Sequence, residues 1–402
     1  MNSSQQFRSL LTTALIGANL AVLSISGISL YESKQEHELK AQIATRNTTT
    51  ALDQSISNSI DRIELSLHAI VDELESQLLT KQQLSPKDIE TLLNNYQKRL
   101  PELDALRVSN AAGEVILGKG VTDKEKATWA DREYFGYHQT HDDESVQIAK
   151  PRLGRVSKKP IIGFSRRYNY PNHRFAGVIA ATISVSHFTH LLSQFDLGAK
   201  GVLILRDLDL GLITRLPELE NQPLGQIGNT MVSQTLIQLI ASGAKVATFH
   251  IDNAPDGHER INSFRTIRNA PMIAIASAAS DDYLQDWKID LIKTLGLCLV
   301  FLATSYVAYF FLLRLLTQAE KNILLLRNKE ASLKEAQRIA NLGSWSLDIS
   351  SGELIWSEEV FQLFEIDSTQ FQATYAAFLN AIHPDDREAV NAAYSASLVD
   401  RA

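Results

Sequence analysis

Two uncharged apolar stretches constrain this 402-residue chain more than any other feature. The first runs from Ser9 to Leu30 (SLLTTALIGANLAVLSISGISL) and the second from Thr294 to Leu313 (TLGLCLVFLATSYVAYFFLL). A helix needs roughly 20 residues to cross a bilayer core, and each stretch is long enough. The spans are expected at 9–31 and 289–314. A cleaved signal peptide is the rival reading of the first, since Arg8 precedes it. Its apolar region is longer than a signal peptide needs, and no small-x-small site follows before charges begin, so a retained anchor is the reading taken. Arg314, Lys321, Arg327 and Lys329 follow the second stretch, Arg8 precedes the first, and Asp281, Asp282 and Asp286 lie on the other side. By the positive-inside rule this predicts a two-pass chain with both termini (1–8 and 315 onward) in the cytoplasm and residues 32–288 outside. Lys293 runs against the pattern but can snorkel from the end of its span.

The rest of the composition mainly excludes. A formal charge of −7 offers no bulk basicity for nucleic acid, which is not expected as a partner. The only cysteine, Cys298, falls inside the second span, so the outer region has no disulfides and must be held by its own core. At about 255 residues it is large enough to build one. No Walker A, HExxH, GxSxG, kinase or cyclase signature occurs, so no enzyme is read from the residues present and no catalytic residue or metal ligand is assigned.

Periodicity organises the outer region. Ile56, Ile60, Ile63, Leu67, Ile70, Val71, Leu74 and Leu78 recur at steps of three and four with no proline before Pro86, which predicts one long helix rising from the membrane. A second helix is expected to start at Pro86 with Ser85 as its N-cap. LDALRVSNAAGEVILGKG then reads as a hairpin, PIIGFSRRYN and FAGVIAATIS as strands, and VSHFTHLLSQF as a helix. The pattern recurs with the hairpin GVLILRDLDLGLITRLP, the helix TMVSQTLIQLIASG, and strands around VATFHI, ERINSFRTI and PMIAIASAAS. The expectation is an α+β fold with two antiparallel-sheet units, about 84–195 and 196–285, on a long N-terminal helix. One stretch between the first strands, WADREYFGYH (129–138), has neither a helical nor a strand period and is too aromatic for an ordinary solvated loop.

Beyond the second span, 315–337 is rich in helix formers, and Leu316, Ile323, Leu326 and Leu333 fit a short a/d seam that Glu330 weakens. A homodimer through this linker is expected; a lone amphipathic helix is the alternative. AQRIANLGSWSLDISSGELIWSEEVFQLFEI (336–366) and IHPDDREAV (382–390) resemble the opening of a PAS domain. Trp345, Leu347 and Ile349 alternate as a strand, Gly352 turns into ELIW, and Pro384, Asp385 and Asp386 suit a helix first turn. PAS domains are longer than 338–402, so the resemblance implies a further part of that domain and an output domain beyond Ala402. Whether the PAS unit holds haem or flavin is left open, and no other cofactor is expected.

Residues 32–288 resemble the double Cache (PDC) sensor domain of bacterial receptors. The resemblance rests on WADREYF, IGFSRR followed by FAGVIAATIS, DLGAKGVLIL, and GHERINSFRTIRNAPMIAIAS ending in YLQDW. It implies a bacterial inner-membrane location, a periplasmic or extracellular sensor, and a small-molecule ligand in the distal unit, with WADREYF closing over the pocket. The ligand residues it implies are Trp129, Asp131, Arg132, Tyr134 and Phe135, with Ser165, Arg166, Arg167 and Phe175 from the strands. Alternation allows only one of Arg166 and Arg167 to face the pocket. An inward arginine would favour a carboxylate or phosphate, Asp131 an amine, and both together an amino acid. The family's usual amino-acid signature is not matched here. Alternatively, Asp131 and an arginine simply pair to hold the loop.

Three further clusters have plainer readings. HQTHDDE (138–144) has metal-ligand residue types but reads as a solvated acidic loop. His187 and His190 fit a helix surface. The basic run KPRLGR with RVSKKP could attract an anion but reads as an exposed turn. Taken together, the expected function is a transmembrane signal receptor passing ligand occupancy to a PAS domain and an output domain. Among outputs, cyclic-di-GMP synthesis or hydrolysis is favoured over a histidine kinase. The alternative is a membrane-anchored protein-binding or scaffold protein.

Overall fold

The computed structural model describes residues 3–122, 127–219, 222–254, 256–348, 353–367 and 374–399. The chain divides into two compact units, residues 21–299 and residues 1–20 with 300–402.

The larger unit is built along α1 (Ser3–Lys81), a continuous 79-residue helix that begins in the other unit. The span and the expected outer helix are thus one element. The eight apolar residues of the predicted stripe are all buried, with Ile63, Leu67, Ile70 and Leu74 fully so, while Leu65 between them is 72% exposed. One face therefore packs and the other meets solvent. Helix α2 (Pro86–Arg99) follows, with Ser85 at the N-cap in extended conformation but making no side-chain capping bond.

The first sheet contains β1 (Leu103–Ser109), β2 (Val115–Gly118), β3 (Gln147–Ile148), β4 (Arg152–Leu153), β5 (Pro160–Asn169) and β6 (Phe175–Ser184). Its order is β2-β1-β6-β5-β3, with β4 also on β5. Between β2 and β3 lies α3 (Glu133–Thr140), so the aperiodic WADREYFGYH stretch contains a helix. Helix α4 (Val185–Leu192) leads to the second sheet, and Ser184 caps it by accepting from the Ser186 amide.

The second sheet contains β7 (Val202–Asp207), β8 (Leu212–Leu216), β9 (Val246–Ile251), β10 (Arg260–Thr266) and β11 (Met272–Ala279), with α5 (Gln234–Ala241) inserted before β9. Its order is β8-β7-β11-β10-β9. All ladders in both sheets are antiparallel. With β4 left aside, the strands of each sheet numbered within their own unit run in the same order, 2-1-5-4-3. Both sheets rest one face on α1, which serves them in turn. Thr45 and Thr50 bond Ser263 and Arg265 of the second sheet, and His68 and Glu75 reach Arg166 and the Asn169 amide of the first. One continuous core joins α1 to both sheets.

After β11, the short α6 (Ser280–Tyr283) gives way to α7 (Gln285–Ile339), 55 residues long. Among the described residues, two helices are thus long and apolar enough to cross a membrane. Within the larger unit α7 lies against α1, with Trp287 Nε1 donating to the Leu30 carbonyl (2.9 Å) and Cys298 Sγ 3.4 Å from Ser26 Oγ.

In the smaller unit the same two helices pair through Arg8 and Glu320 (2.9 Å) and through the Thr12 and Tyr309 hydroxyls (2.8 Å). Ile323, Leu326 and Leu333 of the predicted seam are exposed. After α7, β12 (Trp345–Leu347) pairs antiparallel with β13 (Leu354–Trp356), and α8 (Glu358–Leu363), α9 (Tyr375–Ala381) and α10 (Arg387–Val399) follow. Pro384, Asp385 and Asp386 form a 3₁₀ turn just before α10. Ile349 and Gly352, expected in the strand and its turn, lie outside the described residues.

Candidate functional site

The site grows from strand alternation in β5. Ile162, Phe164 and Tyr168 point into the core shared with α1. Gly163 and Ser165 point to the opposite face, where a cavity of about 40 Å³ opens. On β6 the same rule sends Ile179, Ala181 and Ile183 to the core and Ala180 and Thr182 to the cavity.

The stretch around Trp129 forms the outer wall. Its backbone is strapped to the β1–β2 hairpin, with the Trp129 amide donating to the Gly113 carbonyl (2.7 Å). Glycine is required there, because φ is +85° and a Cβ would come within 2.7 Å of the Ala130 nitrogen. Trp129 is buried against Val115, Phe135, Val178 and Ala180. Tyr134 meets its ring edge-on at 6.2 Å, and Phe135 meets Phe175 edge-on at 5.4 Å.

Four arginines converge on this cavity: Arg107 from β1, Arg132 at the start of α3, Arg152 from β4, and Arg155 from the following turn. Asp131 faces Arg155, which donates to it through both terminal nitrogens, one at 2.7 Å. That bridge laces the two loops over the cavity. Among the described residues, neither Arg132 nor Arg152 forms an ion pair. Burial, with repulsion from Arg155 and Arg152, lowers the pKa of Arg132, and burial lowers that of Arg107. The Tyr134 hydroxyl is pushed up to about 12 by burial, although the neighbouring arginines pull the other way. The hydrogen bond from Arg155 holds Asp131 below its ordinary value. Chemically, the cavity is a small, cationic, aromatic-walled space.

The nine residues implied by resemblance separate into distinct roles. Trp129, Arg132, Tyr134 and Ser165 line the cavity. Asp131 pairs with Arg155 to hold the loop. Phe135 and Phe175 pack behind Trp129. Arg167 is on the cavity side of β5 but is engaged elsewhere, donating to the carbonyls of His138 (3.0 Å) and His141 (2.6 Å) and lying 5.4 Å from the Phe175 ring centroid. Arg166 is on the opposite face, bonded to His68 and the Glu144 carbonyl.

Arg107, Arg152, Arg155 and Thr182 were not singled out from sequence. The signal was there for two of them, since Arg152 and Arg155 belong to the KPRLGR run. The run does form a turn with Lys150, Lys158 and Lys159 exposed, but Arg152 and Arg155 are half-buried and line the cavity. The solvated reading of HQTHDDE holds for residues 139–144, which are exposed, but not for its first residue. His138 is fully buried, with Nε2 3.0 Å from the Ser165 carbonyl, whereas His141 stacks on Tyr137 at 4.2 Å. Among the described residues, the one His and acid group with metal-like spacing is His250, Asp252 and Glu259, all exposed, and there His250 and Glu259 already pair at 2.7 Å. A second cavity, of about 490 Å³, occupies the equivalent face of the second sheet.

Two antiparallel sheets of one strand order, packed along one shared helix, define the fold of the larger unit. No family model and no curated protein matches the sequence. Among solved structures, the extracellular domain assigned to a histidine kinase, rpHK1S-Z16, is 24% identical with a TM-score of 0.52, covering 63% of this chain and 97% of that one. The sensory domain of the Campylobacter jejuni chemoreceptor Tlp3 (CcmL) with isoleucine bound is 13% identical, with a TM-score of 0.45 and coverages of 64% and 97%. The ligand-binding domain of the Pseudomonas fluorescens chemoreceptor CtaA in complex with L-serine is 13% identical, with a TM-score of 0.44 and coverages of 61% and 100%. The first of these carries the fold assignment of the two-sheet region.

Proposed function

We propose that this chain is a transmembrane signal receptor whose outer domain binds a small anion, a carboxylate of two or three carbons, in the first sheet's cavity. The observation that carries the reading is charge: four arginines surround a space whose one neighbouring described carboxylate, Asp131, is paired with Arg155. Size sets the ligand class. A water needs about 10–15 Å³ of such volume, so 40 Å³ takes roughly three water-sized groups. An amino acid fits less well, because Asp131 is engaged with Arg155 and no described carboxylate lines the cavity to receive its amine.

Occupancy would pass along α1 and α7, and ligand shifts that equilibrium only by its differential affinity for two states. An inner-membrane location, a dimer through the exposed seam of α7, and a PAS-linked output of the cyclic-di-GMP type rather than a histidine kinase rest on the sequence resemblance. The residues present bind rather than catalyse.

The test is calorimetric titration of the full chain in lipid nanodiscs with acetate, pyruvate and neutral acetamide. A carboxylate should bind one-to-one, acetamide should not, and Arg132→Gln should weaken binding at least tenfold, since a charge-assisted hydrogen bond contributes about 1.5–3 kcal/mol. No carboxylate binding, or equal binding of acetamide, refutes the reading.

A further inference from the structure

We infer that the cavity of the second sheet is a ligand site of its own, for an apolar monocarboxylate. This goes beyond the small anion proposed for the first sheet and does not depend on it.

Alternation again explains the space. On β11, Met272, Ala274 and Ala276 join the core with α1, while Ile275 and Ser277 face the other way. On β10, Ser263 and Arg265 bond α1, leaving Arg260 and Asn262 on the cavity side. Helix α5 and the loop after β8 cover that face without filling it, and about 490 Å³ remains. This is within the range of small-molecule pockets, roughly 300–1,000 Å³. Most of the wall is apolar, from Val202, Ile204, Leu212, Leu236, Phe249 and Ile275.

A few polar groups break that wall, and two lack partners. Ser277 is 3% exposed, lines the cavity, and its Oγ has no hydrogen-bond partner. It sits directly across the ladder from Asn262, itself 5% exposed. Arg215 lines the same cavity; its Nε is buried without a partner, and among the described residues its guanidinium forms no ion pair. Buried polar atoms are ordinarily satisfied, so the Ser277 hydroxyl and the Arg215 Nε are each open to a partner. Arg215 as a whole is half-buried, with Asp256 of the same wall acting on its charge, and the two fully buried arginines of the wall are accounted for. Arg206 donates to the carbonyls of Leu210, Asn229 and Met231, and Arg260 to Asp256 and the Lys200 carbonyl. Arg215 is therefore the cation available to a ligand. A carboxylate matches its planar fork, the Ser277 hydroxyl can donate to that carboxylate or to a neighbouring oxygen, and the apolar wall takes a hydrocarbon or aryl body. Burial lowers the pKa of Arg215 although Asp256 pulls the other way, and a bound carboxylate would add to that pull. The occupant would lie on β11, the strand that runs through α6 into α7.

The experiment is calorimetric titration of the full chain in lipid nanodiscs, against empty nanodiscs, with 4-phenylbutyrate, indole-3-acetate, octanoate and the neutral 4-phenylbutyramide. At least one carboxylate should bind one-to-one, the amide at least tenfold more weakly than its acid. Arg215→Gln should weaken carboxylate binding at least tenfold, and the distal variant Arg132→Gln should leave it unchanged. Ser277→Ala removes a hydroxyl that bonds nothing, so the melting temperature should hold while affinity falls severalfold; it decides the matter if Arg215→Gln does not fold. The inference is overturned if none of the three carboxylates binds, if both Arg215→Gln and Ser277→Ala bind as the native chain does, or if Arg132→Gln abolishes binding instead.

Discussion

Acid should loosen the outer layer of the first sheet through one side chain, His138. Its ring is fully buried, with Nε2 3.0 Å from the Ser165 carbonyl and 3.1 Å from Ser165 Oγ, while Nδ1 has no partner. A carbonyl only accepts, so Nε2 carries the proton of the neutral ring. Protonating Nδ1 would bury a charge with nothing to receive it. Burial accordingly lowers the pKa from 6.5 to about 4. Above pH 6.5 the ring is neutral in folded and unfolded chains alike, and its neutral burial carries no penalty. Between 6.5 and about 4 the unfolded chain takes up a proton that the folded one refuses, so stability falls as the pH falls. At 1.36 kcal/mol per unit, the loss from pH 7 to 4.5 is about 2–3 kcal/mol. Hydrogen exchange of the α3 amides, corrected for intrinsic rates, reads this as a lower local opening free energy. His138→Gln, which can still donate to Ser165, should remove that part of the slope. An equal slope in native and variant chains would refute the reasoning.

Other perturbations follow from packing and charge. Leu67→Ala, at a fully buried position of α1, should cost about 2–5 kcal/mol in thermal denaturation, whereas Leu65→Ala, at a 72% exposed one, should stay within about 0.5 kcal/mol. Gly177→Ala would place a Cβ 2.0 Å from the Ser109 carbonyl oxygen at φ +157° and should lower the melting temperature sharply, while Gly163→Ala, whose nearest neighbour is 3.9 Å away, should not. Asp131→Asn breaks a solvent-screened ion pair and should leave the melting temperature nearly unchanged. It should nevertheless tighten acetate or pyruvate binding by freeing Arg155, and weakened binding would instead make Asp131 a ligand contact.

The sequence carries the scaffold more clearly than the site. The stripe from Ile56 to Leu78, both hairpins and the helices after FAGVIAATIS and GVLILRDLDLGLITRLP are legible because periodicity reports burial directly. WADREYFGYH was opaque because α3 is eight residues long and packs by its aromatics rather than by one repeating face. Alternation correctly separates Arg166 from Arg167, yet it cannot say which of them is already engaged. Arg167 is satisfied by the carbonyls ending α3, a partner fixed by tertiary geometry alone. Likewise, Arg152 and Arg155 read as a solvated basic turn because charge runs usually are; only the fold of the β4–β5 segment over the sheet turns them inward. The cavity of the second sheet has no sequence signature, being a gap between α5 and an otherwise ordinary alternating sheet.

In the proposed receptor, ligand held by the two-sheet unit alters the pairing of α1 and α7. Cys298 is the chain's only cysteine, and its sulfur lies 3.4 Å from Ser26 Oγ. Ser26→Cys therefore creates one cross-linkable pair at that contact. The rate of oxidative cross-linking should be measured in nanodiscs with and without the saturating carboxylate identified by titration. The account predicts a rate that changes with ligand in the Ser26→Cys chain and no change when Arg132→Gln is added. An unchanged rate at full occupancy would contradict it.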